Sequence, residues 1–142
     1  MCRHHFIIAF AALFLIGCAH KICLRAVDAD THEPLEGVSV QWLQARHQMF
    51  QALKQEGPTN LPPSAADGVI RVVGLHRWWT SDFIFTRPGY SNVYGGYVSG
   101  RLSLAEAMRH FPPGPLQDQF ILQGQSRVAE KTNGCFIVEM HK

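Results

Sequence analysis

The stretch Val38-Ser39-Val40-Gln41-Trp42 decides the fold class of this chain. Its apolar residues alternate with Ser39 and Gln41 at a period of two, which is typical of a β-strand that turns one face toward a core. Similar short runs recur along the chain, and turn residues such as Gly, Pro, Asp and Asn separate them. Short strands divided by turns favour a β-sandwich over parallel α/β units. The sequence therefore predicts an all-β protein.

About seven short strands can be read from this alternation, a number typical of a β-sandwich. The predicted strands cover residues 22–27, 38–42, 69–73, 79–86, 93–98, 119–122 and 135–140. The strand over 93–98 has the weakest pattern because Gly95 and Gly96 interrupt it. No internal repeat and no long linker divides the chain, so the strands are expected to form one domain.

The segment 43–56 has a different spacing. Leu43, His47, Phe50 and Leu53 recur at the period of a helix, which predicts a short helix inserted between two strands. A strand that continues toward residue 50 is the alternative. The next segment, 57–66, is rich in Pro and polar residues and is predicted to be a loop.

A second helix start is indicated at Ser103-Leu104-Ala105-Glu106, which has the form of a capping box. In a capping box the serine oxygen and the glutamate side chain satisfy free amides of the first helical turn. The pair Pro112-Pro113 would end such a helix, so it is predicted to reach about His110. The predicted sandwich thus contains one or two short inserted helices.

A set of turn and core residues occurs in a fixed order between residues 22 and 90. Its members are Val27-Asp28, Thr31, Glu33-Pro34-Leu35, Gly37-Val38, Val40, Asp67-Gly68, Ile70, Gly74-Leu75 and Pro88-Gly89-Tyr90. This order resembles that of the carboxypeptidase regulatory-like domains, whose fold is similar to transthyretin. The resemblance implies a transthyretin-like or immunoglobulin-like sandwich of about seven strands. It marks these residues as structural and brings no catalytic residue to this chain.

The N-terminus combines Arg3 with an apolar run over residues 6–16 and the tetrapeptide Leu15-Ile16-Gly17-Cys18. The run is shorter than the roughly 20 apolar residues that span a bilayer, and its parts are those of a secretory signal. The tetrapeptide resembles the lipobox of bacterial lipoproteins. That resemblance implies a signal peptide, 1–17, that is removed, and a mature domain, 18–142, with lipid on Cys18. An ordinary secretory signal is the alternative.

The lipoprotein resemblance also implies a location. Such proteins carry a diacylglyceryl group on the cysteine sulfur and usually a further acyl chain such as palmitate on the new amino terminus, which makes detachment from the membrane negligible. Ala19 stands where an aspartate often retains lipoproteins in the inner membrane. We therefore expect attachment to the outer membrane of the cell envelope, with the domain facing the periplasm.

Four cysteines are divided by this interpretation. Cys2 leaves with the signal peptide and Cys18 takes the lipid, so Cys23 and Cys135 remain in the folded domain. Two cysteines in an exported domain predict a disulfide, because the compartment is oxidising. Two buried free thiols are the alternative.

Charge and motif patterns limit the chemistry of the domain. The net charge is +2 and like charges do not cluster along the sequence, so neither nucleic-acid binding nor a polybasic membrane patch is indicated. Eight histidines lack the spacing of a metal site, and neither a Gly-x-Ser-x-Gly elbow nor a phosphate loop occurs. We predict no metal, no cofactor and no enzymatic activity. The alternative is an envelope hydrolase with its active site on loops near 57–66 and 90–100.

Aromatic residues give the main indication of a binding surface. Trp78 and Trp79 are adjacent, so within a strand they would point to opposite faces. With Tyr90, Tyr94 and Tyr97 nearby, an exposed Trp could form a platform for sugar rings or a protein partner. These aromatics could instead cover one end of the sandwich.

The sequence as a whole predicts a non-enzymatic envelope lipoprotein. Its membrane-tethered sandwich would bind or position an envelope protein or a glycan, as an inhibitor, an immunity protein or an assembly component.

Overall fold

A computed structural model describes residues 20–48, 51–75, 80–106 and 126–142. These residues form ten β-strands in two sheets, and no helix occurs among them. The prediction of an all-β fold is confirmed. The strands are β1 (His20–Asp28), β2 (Ser39–Gln48), β3 (Gln51–Leu61), β4 (Val69–Leu75), β5 (Thr80–Thr86), β6 (Val93–Val98), β7 (Arg101–Glu106), β8 (Arg127–Val128), β9 (Lys131–Thr132) and β10 (Cys135–Met140).

The two sheets differ in size and in strand direction. The smaller sheet has the order β4-β1-β10-β9, and the larger has the order β3-β2-β5-β6-β7-β8. In the larger sheet each strand is antiparallel to its neighbours. In the smaller sheet β1 is antiparallel to β4 but parallel to β10. The first and the last described strands are therefore direct neighbours.

One hydrophobic core joins the two sheets. Along β10 the buried residues Phe136, Val138 and Met140 alternate with half-buried ones, which is the period-two pattern of a strand with one face in a core. Leu24 of β1 and Phe83 of β5 are fully buried in the same cluster.

The helix predicted over 43–56 is wrong. Residues 43–48 belong to β2 and residues 51–56 belong to β3, so the segment is a pair of antiparallel strands. β2 also pairs with β5 over residues 39–45, where Leu43 lies opposite Asp82. Backbone hydrogen bonds to strands on both sides outweigh a weak helical spacing, because propensity yields to tertiary context. The predicted loop 57–66 is also shortened, since β3 continues to Leu61.

The helix predicted from Ser103 is wrong as well over its described part. Residues 103–106 lie in β7, where Ser103 pairs with Gly96 and Glu106 with Val93. Leu102 and Leu104 are buried at a spacing of two, a strand signal that the capping-box form obscured. The remainder of that segment and the strand predicted over 119–122 lie outside the described residues.

A disulfide joins Cys23 of β1 to Cys135 of β10, as the sequence predicted. The two residues are direct partners in the parallel register, and their Cα atoms are 4.4 Å apart. That separation lies within the range that a disulfide can bridge. The bond therefore covalently joins the two neighbouring strands in the middle of the smaller sheet.

Gly68 closes the turn that leads into β4. Its φ of 75° lies in the left-handed region, and its carbonyl oxygen accepts a hydrogen bond of 2.9 Å from the N–H of Ala26. A Cβ at this position would overlap the carbonyl oxygen of Ala26, which is backbone and cannot rotate away. The turn thus needs glycine both for its conformation and for its close approach to β1.

Substitution of this glycine gives a matched test. Gly37 also has a positive φ of 74°, but a Cβ there would meet nothing within 4 Å. We expect Gly37→Ala to lower the free energy of unfolding by about 1 kcal/mol, from the left-handed conformation alone. Gly68→Ala should cost about 2 kcal/mol more, because the overlap with Ala26 forces a backbone shift. Urea unfolding of both variants measures the difference, and equal losses would contradict the close approach.

Candidate functional site

The parallel arrangement of β1 and β10 brings their C-terminal ends together at one end of the sandwich. The turn after β5 lies at the same end, because the N–H of Ser91 donates a 2.6 Å hydrogen bond to the carbonyl oxygen of His141. We call the charged and aromatic side chains gathered here the distal cluster. Its members are Asp28, Arg87, Tyr90, His141 and Lys142.

Asp28 is the centre of the distal cluster and is only 4% exposed. Its Oδ1 accepts hydrogen bonds from the backbone N–H groups of Asp30 and Thr31, at 2.9 and 3.0 Å. This is the side-chain-to-backbone pattern by which Asp stabilises a tight turn. Its Oδ2 accepts a 2.8 Å bond from the hydroxyl of Tyr90 and lies 3.1 Å from Nζ of Lys142. The carboxylate thus joins three separate parts of the chain.

These donors set the charge state of the cluster. The pKa of Asp28 is held far below its usual range, chiefly by the backbone N–H of Thr31 and then by Tyr90 and Lys142. The pKa of Lys142 is raised, because the ammonium donates to the Asp28 carboxylate. A second ion pair joins His141 to Glu106 of β7 at 3.2 Å when the histidine is protonated. Within the distal cluster, Asp28 and Lys142 therefore form an ion pair at neutral pH.

Tyr90 acts as a brace within this network. While its hydroxyl donates to Asp28, cations approach its ring: the guanidinium carbon of Arg87 lies 5.0 Å and Nζ of Lys142 lies 5.6 Å from the ring centroid. Both distances are in the range of cation–π attraction. The hydroxyl and the ring of Tyr90 are thus both engaged, so this residue holds the turn after β5 rather than offering a bare stacking platform.

The other two tyrosines of the predicted aromatic surface occupy opposite faces of β6. Tyr97 is 8% exposed and lies in the core, where it meets Phe136 edge to face at 5.9 Å between centroids. Burial raises the pKa of its hydroxyl. Tyr94 is half-buried on the outer face of the larger sheet, packed with Ile84 and Ala105. Two residues that are three positions apart in a strand point to opposite faces of it. The separation of Tyr94 from Tyr97 therefore follows from the sequence once β6 is recognised as a strand.

The structure therefore does not gather Tyr90, Tyr94 and Tyr97 on one surface. Trp78, Trp79 and Cys18 lie outside the described residues, so their predicted roles stay predictions. Asp28 was recognised from the sequence only as part of a turn, although its position at a strand end before Asp30-Thr31 is the signal of its capping role. Asp82 is also buried, at 1% exposure, on the outer face of β5, where it lies between Leu43 and Gly96. It does not lie in a turn motif, so no local pattern in the sequence indicates that this acid is buried.

Within the described ranges, no group of three or more His, Cys, Asp or Glu residues is placed to hold a metal ion. The same part of the chain includes no helix that is long and apolar enough to cross a membrane.

No protein-family model matches this chain, and no curated protein does. Among solved structures, the chain is similar to the group B streptococcus pilus 2b backbone protein, with 14% sequence identity and a TM-score of 0.46. The match covers 87% of this chain and 41% of the pilus protein, so the chain spans less than half the length of that structure.

The low pKa of Asp28 predicts a specific pH dependence of stability. A carboxylate with a lowered pKa in the folded state stabilises the fold fully above its unfolded pKa of about 4, and loses that contribution as the pH falls toward the folded value. We expect Asp28→Asn to lower the unfolding temperature at pH 7. The difference from wild type should shrink steadily between about pH 5 and about pH 2.

Asp30→Asn is the matched control, since it removes the same charge from an exposed side chain two positions away. Its unfolding temperature should stay near that of wild type throughout the range. If the unfolding temperature of Asp28→Asn lay below that of wild type by the same amount at every pH, the stabilising role of the Asp28 charge would be contradicted.

Proposed function

We propose that this protein is a non-enzymatic lipoprotein of the bacterial cell envelope, whose sandwich binds or positions a partner beside the membrane. The supporting observation is the short link between the lipobox cysteine and the fold. β1 begins at His20, two residues after Cys18. Two residues span at most about 7 Å. A lipid on Cys18 would therefore hold the first strand almost at the bilayer surface.

The strand that receives this anchor lies inside the sheet. β1 has β4 on one side and β10 on the other, and the disulfide at Cys23 joins it to β10 within its first half. Because the anchored strand is part of the sheet, the anchor fixes the distance between the whole domain and the membrane. A long flexible linker would leave that distance variable. This construction supports a role in presenting a rigid surface at a defined height above the membrane.

Two buried polar side chains, Ser64 and Asp28, make hydrogen bonds that hold loops of the domain together. Ser64 is 4% exposed, donates a 2.6 Å hydrogen bond to the carbonyl oxygen of Leu35 and accepts a 2.8 Å bond from the N–H of Val38. Ser64 thus ties two loops together, as Asp28 does nearby. The rival proposal of a hydrolase places its site near 57–66 and 90–100, and much of both segments lies in β3 and β6.

The partner that suits such a domain is another envelope component, either a protein or a glycan. Restriction to a thin layer beside the membrane raises the effective concentration of the domain toward its neighbours, so that a modest affinity suffices. Ile84 and Tyr94 on the outer face of the larger sheet are half-buried and pack with the buried Ala105, so the contact surface is not assigned to them. An inhibitor, an immunity protein or an assembly component would each fit this role.

Lipidation is tested by labelling growing cells with a radioactive or clickable fatty acid. The wild-type protein should carry label and sediment with the membrane fraction, and Cys18→Ser should lose both properties because the thioether cannot form. Cys2→Ser is the matched control, because that cysteine lies in the expected signal peptide and its loss should leave the label intact.

Persistence of label in Cys18→Ser would contradict the anchor.

The binding role is tested by purifying the wild-type protein from detergent-solubilised membranes and identifying retained partners by mass spectrometry. Recovery of a stable envelope partner is expected. Turnover of an envelope substrate by the purified protein, with no partner retained, would favour the hydrolase.

A further inference from the structure

Three cations from two strands share the outer face of the smaller sheet. In β1 the buried Ile22 and Leu24 alternate with Lys21 and Arg25, which therefore point outward. In β4 the buried Ile70 and Val72 likewise place Arg71 outward. We call Lys21, Arg25 and Arg71 the basic face.

The strand register makes these cations neighbours. Cys23 pairs directly with Arg71, while Lys21 pairs with Val73 and Arg25 with Val69. Arg71 is thus the diagonal neighbour of both other cations, and such neighbours lie about 7 to 8 Å apart. Like charges at this distance repel one another. The arrangement costs stability unless a counter-charge from outside the domain relieves it.

The described acids beside this face are engaged elsewhere. Glu139 points outward from β10, but Arg127 donates to its carboxylate, and this bond lowers the pKa of Glu139. Asp67, in the turn before β4, accepts the N–H of Val69 through its carboxylate, and its carbonyl oxygen accepts a hydrogen bond from Arg25. The half of the face nearest the start of β1, with Lys21 and Arg71, has no acid among its described strand partners.

Protection of a sheet edge explains only part of the basic face. Among the described strands β4 lies at the edge of its sheet, and an outward charge such as Arg71 deters pairing with another chain. Lys21 and Arg25, however, lie on β1, which has strands on both sides. A cluster that extends from the edge into the interior of the sheet points to a ligand that covers the face rather than to the edge alone.

The position of the anchor identifies that ligand. Lys21 follows Cys18 by three residues, which span at most about 10 Å, comparable to the distance over which charges are felt at physiological salt. We infer that the basic face binds the anionic phospholipid headgroups of the membrane in which the protein is anchored, an inference that rests on the proposed lipidation for its geometry. Each cation near such a surface adds to the affinity.

This docking gives the domain an orientation. With the smaller sheet against the bilayer, the larger sheet lies on the side of the sandwich away from the membrane. The sequence did not indicate a polybasic patch, because its members are separated by up to 50 positions and only strand pairing brings them together.

The inference is tested without the lipid, using a Cys18-free chain that begins at Ala19 and contains the whole described core. The protein should pellet with vesicles of phosphatidylcholine and phosphatidylglycerol but not with phosphatidylcholine alone, and salt should weaken the binding. Lys21→Gln and Arg71→Gln should each lower the partition coefficient about fivefold. Circular dichroism confirms that each variant is folded.

Arg101→Gln is the matched control, because it removes the same charge from an exposed side chain on the larger sheet. It should leave vesicle binding unchanged. The inference would be overturned if the folded Cys18-free chain, without further substitutions, did not bind anionic vesicles. Equal losses of binding for Arg101→Gln and Arg71→Gln would overturn it as well. Either result would leave the anchor standing as long as Cys18 is acylated, so the two failures can be told apart.

Discussion

The parallel pairing of β1 with β10 is the constraint on which the rest of the structure depends. It joins residues 112 positions apart in the sequence, and the Cys23–Cys135 disulfide makes the join covalent. Closing a loop of this length stabilises a fold by about 4 to 5 kcal/mol in the chain-entropy model. A domain of this size is typically stable by about 5 to 15 kcal/mol, so this single link carries a large share of the total. Leu24 and Phe136, the partners next to the disulfide in the strand register, are both buried in the hydrophobic core.

The same pairing explains the distal cluster. Because β1 and β10 run in the same direction, both end at the same end of the sandwich, and the N–H of Ala29 donates to the carbonyl oxygen of Met140 at 3.0 Å. This arrangement places Lys142, which follows β10, beside Asp28 and Tyr90. The opposite end of β1 adjoins the expected anchor. One strand thus connects the expected anchor to the distal cluster, and its outward side chains supply two members of the basic face.

The sequence predicted the fold class and the disulfide because both depend on local or compositional signals. Alternation at residues 38–42 and 135–140 reports burial of one strand face, and it was correct at both places. The segment 43–56 was misread because apolar spacing there fits a helix, while pairing with β5 decides its conformation. Such pairing is a non-local event that no window of sequence displays. The odd spacing of Tyr94 and Tyr97, by contrast, could have been used to separate them.

The candidate surfaces could be predicted only in part for the same reason. Asp28 stands in a recognisable turn motif, but its contacts with Tyr90 and Lys142 depend on the parallel register. Lys21 and Arg71 are 50 positions apart and share a face only through β1 and β4. The predicted lipobox is the reverse case, because a short linear motif can be recognised without any knowledge of the fold.

The central claim, that the covalent β1–β10 pair holds the fold, is tested most directly by urea unfolding of the Cys23→Ala/Cys135→Ala double variant. We expect its free energy of unfolding to fall by about 4 to 5 kcal/mol relative to the oxidised wild type. A loss below about 1 kcal/mol, the size of an ordinary point substitution, would show that the fold does not depend on this link.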